Sequence, residues 1–474
     1  MPRIPDEGRR PAGDAAERYR DGKKAIVERR FVDAARDFAA AVRAAPGNRV
    51  YWDHVAHALF LARRHRTEIA IRMAIVARFP PAGPADAANL GRIAALRFTA
   101  GDGAAAVWCL EQCLRHDPSQ PRHLRELVWL LQHLDPGIEP AMLRARLNAL
   151  RPLGVDEERL LEMRLRNRAS LEATATAGID PRRLDPPRVA VLISGQLRGY
   201  ATALPGIRAR LAQPLGADVF VHAWDTAGVP RPSRALDAAA MALLRQADIP
   251  VDDTLAVRFP QLETLLEREP RPSVERIRRL AGATAVVLEP EPESLRQERR
   301  IGDVRFPPAW STYSVGSLPM FYKLDRCFAL MEEHEAATGR PYDVVVRVRP
   351  DLVFRDRVPL TLLRDVLRRP RLFINGFTLG HFDDQFAIAR RDVMARAARL
   401  FRRLPDFWME RGGLPLATPA LGEQALFQHL FYEGVDVAEL HWPARPSLVD
   451  IRIGPDDLRK VAGLDALLAA AAAA

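Results

Sequence analysis

Two hydrophobic textures divide the chain. Over residues 15–171, apolar and small residues recur at helical spacing, one amphipathic stretch after another. From Arg188 onward, short apolar runs alternate with helical stretches, the pattern of strands and helices in an α/β domain. The runs predict strands at Val189–Ile193, Ala217–Val221, Leu255–Phe259, Thr284–Leu288, Arg371–Asn375, Gln385–Ile388, Val435–Leu440 and Asp450–Ile453. Between them, helices are predicted at Leu204–Leu211, Ser233–Gln246, Val274–Leu280, Val315–Ala337, Arg390–Arg402 and Gly422–Leu430. Loops are expected at Arg299–Trp310 and Gly412–Pro419.

One strand stands apart, in Tyr342–Phe354. Val344, Val345 and Val346 are β-branched and call for cover on both faces, as in a parallel sheet. The run then delivers Arg347, Arg349 and Asp351, with Pro350 unable to donate to a ladder. Open α/β sheets bind ligands outside the carboxyl ends of their strands, so charge emerging there marks a candidate site for a charged, phosphorylated substrate.

The N-terminal helices carry an internal repeat. Gly22, Ala34, Phe38, Ala41 and Pro46 have the small, small, large, small, proline spacing of a tetratricopeptide repeat, and Pro80 lies 34 residues after Pro46. Trp52 takes the aromatic position of a second pass, and Ala106, Leu110, Cys113 and Pro118 fit a third. The stretch resembles a tetratricopeptide-repeat array with capping helices from His123 to Leu171. That resemblance implies a protein partner; the alternative is a plain helical scaffold. The expected layout is therefore α + α/β. It runs as a disordered N-terminus (1–14), a repeat domain (15–171), a linker rich in Pro and Gly (172–187), an α/β domain (188–460) and an Ala-rich tail (461–474).

Composition changes this picture little. With 474 residues, 48% hydrophobic, the chain has ample material for more than one core. The net charge of +10 rests almost wholly on arginine, Lys23, Lys24, Lys323 and Lys460 being the lysines. The arginines are interleaved with acids, which predicts a solvated basic surface rather than a nucleic-acid face. Cys109, Cys113 and Cys327 give no disulfide framework and point to a reducing compartment. No window is apolar enough to span a membrane, so the expected place is the cytoplasm, with peripheral contact at the inner membrane left open.

The candidate chemistry lies in the second half, which lacks a Walker loop, a GxSxG elbow, an HExxH motif and a kinase signature. Ser194, Gly195, Gln196 and Arg198 follow the first strand, where a glycine, helix-start amides and an arginine would face an anion. Lys323 and Arg326 share one helix face, and His222, Trp224 and Asp225 end the second strand, with Trp224 offering a ring face. Asp383 and Asp384 follow the Arg371–Asn375 strand, and Glu423 opens a late helix. For each of these the alternatives are a tight turn, a solvated loop or a helix-dipole acid.

Taken in order, Ser-Gly-Gln-Leu-Arg, Asp-Val-Phe-Val-His-x-Trp-Asp, Tyr-Asp-x-x-x-Arg-x-Arg-Pro-Asp-Leu and Asp-x-Phe-Ala resemble a group of bacterial and viral GT-A-like glycosyltransferases associated with surface-polysaccharide synthesis, over Arg188 to Val435. The resemblance implies a Rossmann-like GT-A domain using a nucleotide diphosphate sugar and a glycan, lipid-linked or protein acceptor. Ser194, Gly195, Gln196, Arg198, Lys323, Arg347 and Arg349 would hold the donor, and Asp384 or Glu423 would act as base. In that family an Asp-x-Asp pair holds Mg²⁺ or Mn²⁺. Here only Asp351 matches, with Arg349 in place of the first acid. A non-catalytic scaffold with a degenerate nucleotide-binding domain is the alternative.

Overall fold

The computed structural model describes residues 14–28, 30–79, 84–118, 120–178, 186–230, 232–252, 254–267, 269–305, 317–408, 422–440 and 446–473. Pro80, residues 1–13 of the expected N-terminus, 179–185 of the expected linker, the ends of the 299–310 loop and of the 315–337 helix, and the 412–419 loop lie outside them.

The chain forms two compact units, divided at Arg159 and Leu160. The first is helical: Ala15–Val27, Phe31–Ala44, Arg49–Leu61, His65–Arg78, Pro84–Thr99, Gly103–His116, Pro121–Leu134 and Pro140–Leu150. From Ala15–Val27 to Pro121–Leu134, helices adjacent in sequence pack on one another, and Pro140–Leu150 contacts Gly103–His116. Asn48 and Asp102 cap their helices by accepting from Val50 N (3.1 Å) and Ala105 N (3.1 Å). The small residues are where close packing needs them: a Cβ on Gly22 would lie 2.6 Å from the Phe38 ring, and Ala34 and Ala41 are fully buried. Trp52 Nε1 donates to the Pro46 carbonyl (3.0 Å), tying the aromatic position to the proline that ends the preceding helix. Cys109 and Cys113 are buried free thiols, and burial pushes Cys109 up to about 11.

Residues 172–178 of the expected linker are helical, the end of Val155–Gly178. The second unit is built on a mixed sheet. Its strands are β1 (Val189–Gly195), β2 (Asp218–Trp224), β3 (Ala285–Glu289), β4 (Val344–Val348), β5 (Arg371–Ile374), β6 (Phe386–Arg390) and β7 (Asp436–Glu439). Among the described residues they are ordered β7-β5-β6-β4-β1-β2-β3. The β3, β2, β1 and β4 core is parallel, and β6 runs antiparallel to both β4 and β5. The chain steps outward from β1 to β3 and returns on the other side of β1 to lay down β4. The gap between the carboxyl ends of β1 and β4 is therefore a topological switch point, where open sheets place their ligands.

Alternation along the strands sorts the two faces. Val191, Ile193, Val219, Val221, Val346 and Val348 pack with Tyr200, Leu204 and Ile207 of the Tyr200–Ile207 helix. Leu192, Ser194, Phe220, His222 and Arg347 fall on the opposite face. The Ser317–Thr338 helix covers that face, with the Cys327 thiol against the Phe220 carbonyl (3.4 Å).

Several expectations are corrected. Leu255–Phe259 is not a strand. Leu255–Arg258 is a helical turn, and Leu255 and Phe259 pack in a second core with Leu262, Leu244 and Leu458. Of Asp450–Ile453, only Ile453 pairs, through a single bridge to Leu236. The Arg390–Arg402 helix is two, Arg391–Ala398 and Leu400–Trp408, and Ser233–Gln246 is broken before Ala238, where Asp237 caps Ala240 N (2.7 Å). The Ala-rich end is a helix, Leu464–Ala473, with Leu464 fully buried in the second core.

Candidate functional site

At the switch point, β1 ends in Ser194 and Gly195. Gly195 has φ +128°, open to glycine and strained for other residues, and it faces Pro350 beyond β4. After β4, Arg349 closes a two-pronged ion pair on Asp351: Nε to Oδ1 at 3.0 Å and Nη2 to Oδ2 at 2.7 Å. Arg198 Nη2 approaches the same Oδ2 at 3.7 Å. Two guanidinium groups thus converge on one buried carboxylate, leaving a net positive strand end.

A divalent ion at this position would need carboxylate oxygens free to coordinate it. Both Asp351 oxygens face Arg349, with Arg198 beside them, and among the described residues no group of three His, Cys, Asp or Glu is arranged to hold a metal. The residues present fit an anion here and do not fit Mg²⁺ or Mn²⁺.

The acids expected on separate segments come together next to these arginines. Asp383 follows β5 and accepts from Gln385 N (2.9 Å). A Cβ on Gly422, at the start of the Gly422–Tyr432 helix, would lie 3.2 Å from Asp384 Oδ2, so that carboxylate sits by a positive helix end. Glu423 is in the same turn. Burial, and then the charges of Asp384 and Asp383, push its carboxyl up, against the pull of Arg349. Burial likewise raises Asp383.

Arg347 is the outlier. It is 3% exposed, and its Nε, Nη1 and Nη2 have no hydrogen-bond partner among the described residues. Burial lowers it to about 10, opposed by the neighbouring charge of Asp384. Ser194 Oγ, His222 Nδ1 and Asn375 Oδ1, along the same rim, are also buried without a hydrogen-bond partner among the described residues. Ser194 and His222 are register partners on β1 and β2, so they stand side by side on the face that carries Arg347.

Other expected residues are engaged elsewhere. Lys323 is fully buried; its Nζ donates to the Ala223 carbonyl (3.0 Å) and Glu289 Oε1 (2.6 Å) and lies 3.4 Å from the centre of the Trp224 ring. Burial lowers it to about 8. Tyr322 stacks on Trp224 as well (6.0 Å), so the indole face expected to meet a ligand is covered. Gln196 is exposed beside Gly228. The helix-start amides expected to face an anion instead bind the protein's own Glu269: Tyr200 N to Oε2 (2.9 Å) and Ala201 N to Oε1 (2.8 Å). His429 Nε2 donates to the Arg396 carbonyl (2.7 Å), a structural role.

A cleft of about 380 Å³ opens beyond the ends of β1 and β2, lined by Gly199, Thr202, Thr226, Gly228, Glu269 and Arg271. Glu269, Glu289 and Asn375 escaped the sequence reading. Glu289 carries the signal that singled out Asp351, a charge at the end of an apolar strand. Asn375 was the last residue of a predicted strand. Glu269 has no local signal.

No protein-family model matches the chain. No curated protein matches it in sequence. Among the described residues, no helix is long and apolar enough to cross a membrane.

Proposed function

We propose that the second unit is a GT-A-like glycosyltransferase, moving a sugar from a nucleotide diphosphate sugar to a glycan, lipid-linked or protein acceptor in surface-polysaccharide synthesis. The observation that carries the reading is the convergence of Arg198 and Arg349 on Asp351 at the β1–β4 switch point, with Asp383, Asp384 and Glu423 alongside. Arg198 and Arg349 bind the diphosphate and offset the charge it gains on leaving, the task a metal performs elsewhere. Asp351 fixes their orientation. The 380 Å³ cleft is large enough for a nucleoside and adjoins the β1 end. Asp384 or Glu423 accepts the proton of the acceptor hydroxyl as its oxygen bonds to the anomeric carbon and the diphosphate leaves with the electron pair of the broken bond. A raised carboxyl such as Glu423 is the stronger base. The first unit serves as a tetratricopeptide-like array for a protein partner, the reading supported by the Gly22–Phe38 and Trp52–Pro46 contacts.

The test is a thermal-shift screen of the full chain with UDP, GDP and CMP, followed by turnover with the matching nucleotide sugars in EDTA. Stabilisation by a nucleotide, metal-independent hydrolysis or transfer, and about tenfold weaker nucleotide binding in Asp351→Ala are expected. Absence of both turnover and nucleotide stabilisation, with Asp351→Ala indistinguishable from wild type, would overturn it in favour of a non-catalytic scaffold.

A further inference from the structure

The unpartnered Arg347 identifies what the site does beyond holding phosphate. A buried guanidinium ordinarily has a carboxylate or carbonyl on its N–H groups, because desolvating it alone is costly. Arg347 has none among the described residues. Its position on β4 is set by the ladder, opposite Leu192 and Ala387, so the side chain projects under the Ser317–Thr338 helix. There it lines a small cavity of about 20 Å³ with Asp383, Asp384, Phe321, Leu324 and Leu426. That volume admits one water-sized group and no ring.

The chemistry of the lining selects the group. Arg347 offers only donors and the two aspartates offer acceptors. A ligand carboxylate would satisfy Arg347 but face Asp383 and Asp384; an ammonium would satisfy the aspartates and face Arg347. A hydroxyl does both, accepting from a guanidinium N–H and donating to a carboxylate. Charge is divided in the same sense. Arg198 and Arg349 outnumber Asp351 at one end, while Asp383 and Asp384 outnumber Arg347 at the other.

We propose that Arg347 and Asp384 form a subsite for one hydroxyl of a neutral sugar, with Asp383 and Asp384 turning away an acidic donor. This rests on the nucleotide-sugar reading above. Arg347 does not touch the diphosphate.

The experiment compares wild type with Arg347→Met, which keeps the volume and removes the charge, by calorimetric binding and thermal melting of the full chain. The probes are a nucleoside diphosphate, its neutral-sugar conjugate and its uronic-acid conjugate. In wild type the neutral conjugate binds at least about tenfold tighter than the diphosphate, and the uronic-acid conjugate binds no tighter than the diphosphate. Arg347→Met abolishes the tenfold gain, and its melting temperature is equal to or above that of wild type. A variant that melts lower yet keeps the gain would make Arg347 structural, its cavity holding only water, and sink the proposal. So would preference for the uronic-acid conjugate. If no nucleotide binds, the glycosyltransferase reading fails on its own. The subsite then stands if neutral methyl glycosides raise the melting temperature of wild type and not of Arg347→Met, and falls if the two respond alike.

Discussion

Glu68 in the helical unit and Arg347 in the α/β unit are both buried charges, and they are treated in opposite ways. Glu68 is fully buried and accepts from Arg72 Nε (3.0 Å) and Arg92 Nε (3.0 Å), two helix neighbours that hold its carboxyl below the usual range despite burial. Arg347 has Asp383 and Asp384 nearby but no hydrogen-bond partner among the described residues. The difference does not come from the α/β unit being loosely satisfied. Arg164, as deeply buried and also lowered to about 10, donates to the Phe431 carbonyl (3.0 Å) and Asp436 (3.2 Å) and stacks on Phe431. Glu68 and Arg164 are buried with their partners, whereas Arg347, Ser194 and His222, on one face of the sheet, each have buried side-chain atoms with no hydrogen-bond partner among the described residues.

The sharpest way to break this comparison is Glu68→Ala. Removing the shared acceptor leaves Arg72 and Arg92 facing each other, and a loss of about 3 kcal/mol is expected in urea unfolding. A neutral outcome would mean that satisfied burial is not what distinguishes Glu68. Arg164→Met follows, at about 1–3 kcal/mol, since Asp436 is partly exposed and can recover water. Its sign should be opposite to that of Arg347→Met, and equal signs would erase the distinction between the two arginines. A third effect is graded by pH. Burial, and then the charge of Lys323, lowers His222 to about 4, so the folded state holds it neutral while the unfolded chain protonates it near 6.5. Its contribution is therefore complete above about pH 6.5 and is lost as pH falls toward 4, by about 1.4 kcal/mol per unit within that window. Wild type should lose stability relative to His222→Asn as pH falls across this range, and parallel curves would show that His222 is not held neutral.

Much of the architecture was legible because strongly apolar runs leave few options. Val189–Ile193 and Val344–Val348 could only be covered strands, and both lie in the parallel core. Leu255–Phe259 failed for the opposite reason. A run that short has no decisive period, and burial against Leu262 and Leu458 settled it as a helical turn. The Ala-rich end lacked a strong pattern and became a helix because a core was there to receive Leu464. Among candidate site residues, Arg198, Arg347, Arg349, Asp351, Asp384 and Glu423 do gather near the carboxyl ends of β1 and β4. Lys323 goes to Glu289, and the helix-start amides go to Glu269.

The sequence alone determined which residues are charged at strand ends, because alternation and β-branching tie side-chain direction to position in a strand. It could not say which of those charges would be paired. Pairing between Tyr200 and Glu269, Lys323 and Glu289, or Arg164 and Asp436 spans tens to hundreds of residues and is set by strand order and helix docking. Only the tertiary structure decided that Arg349, just past the end of β4, would find Asp351 and that Arg347, within the strand, would be buried with no hydrogen-bond partner among the described residues.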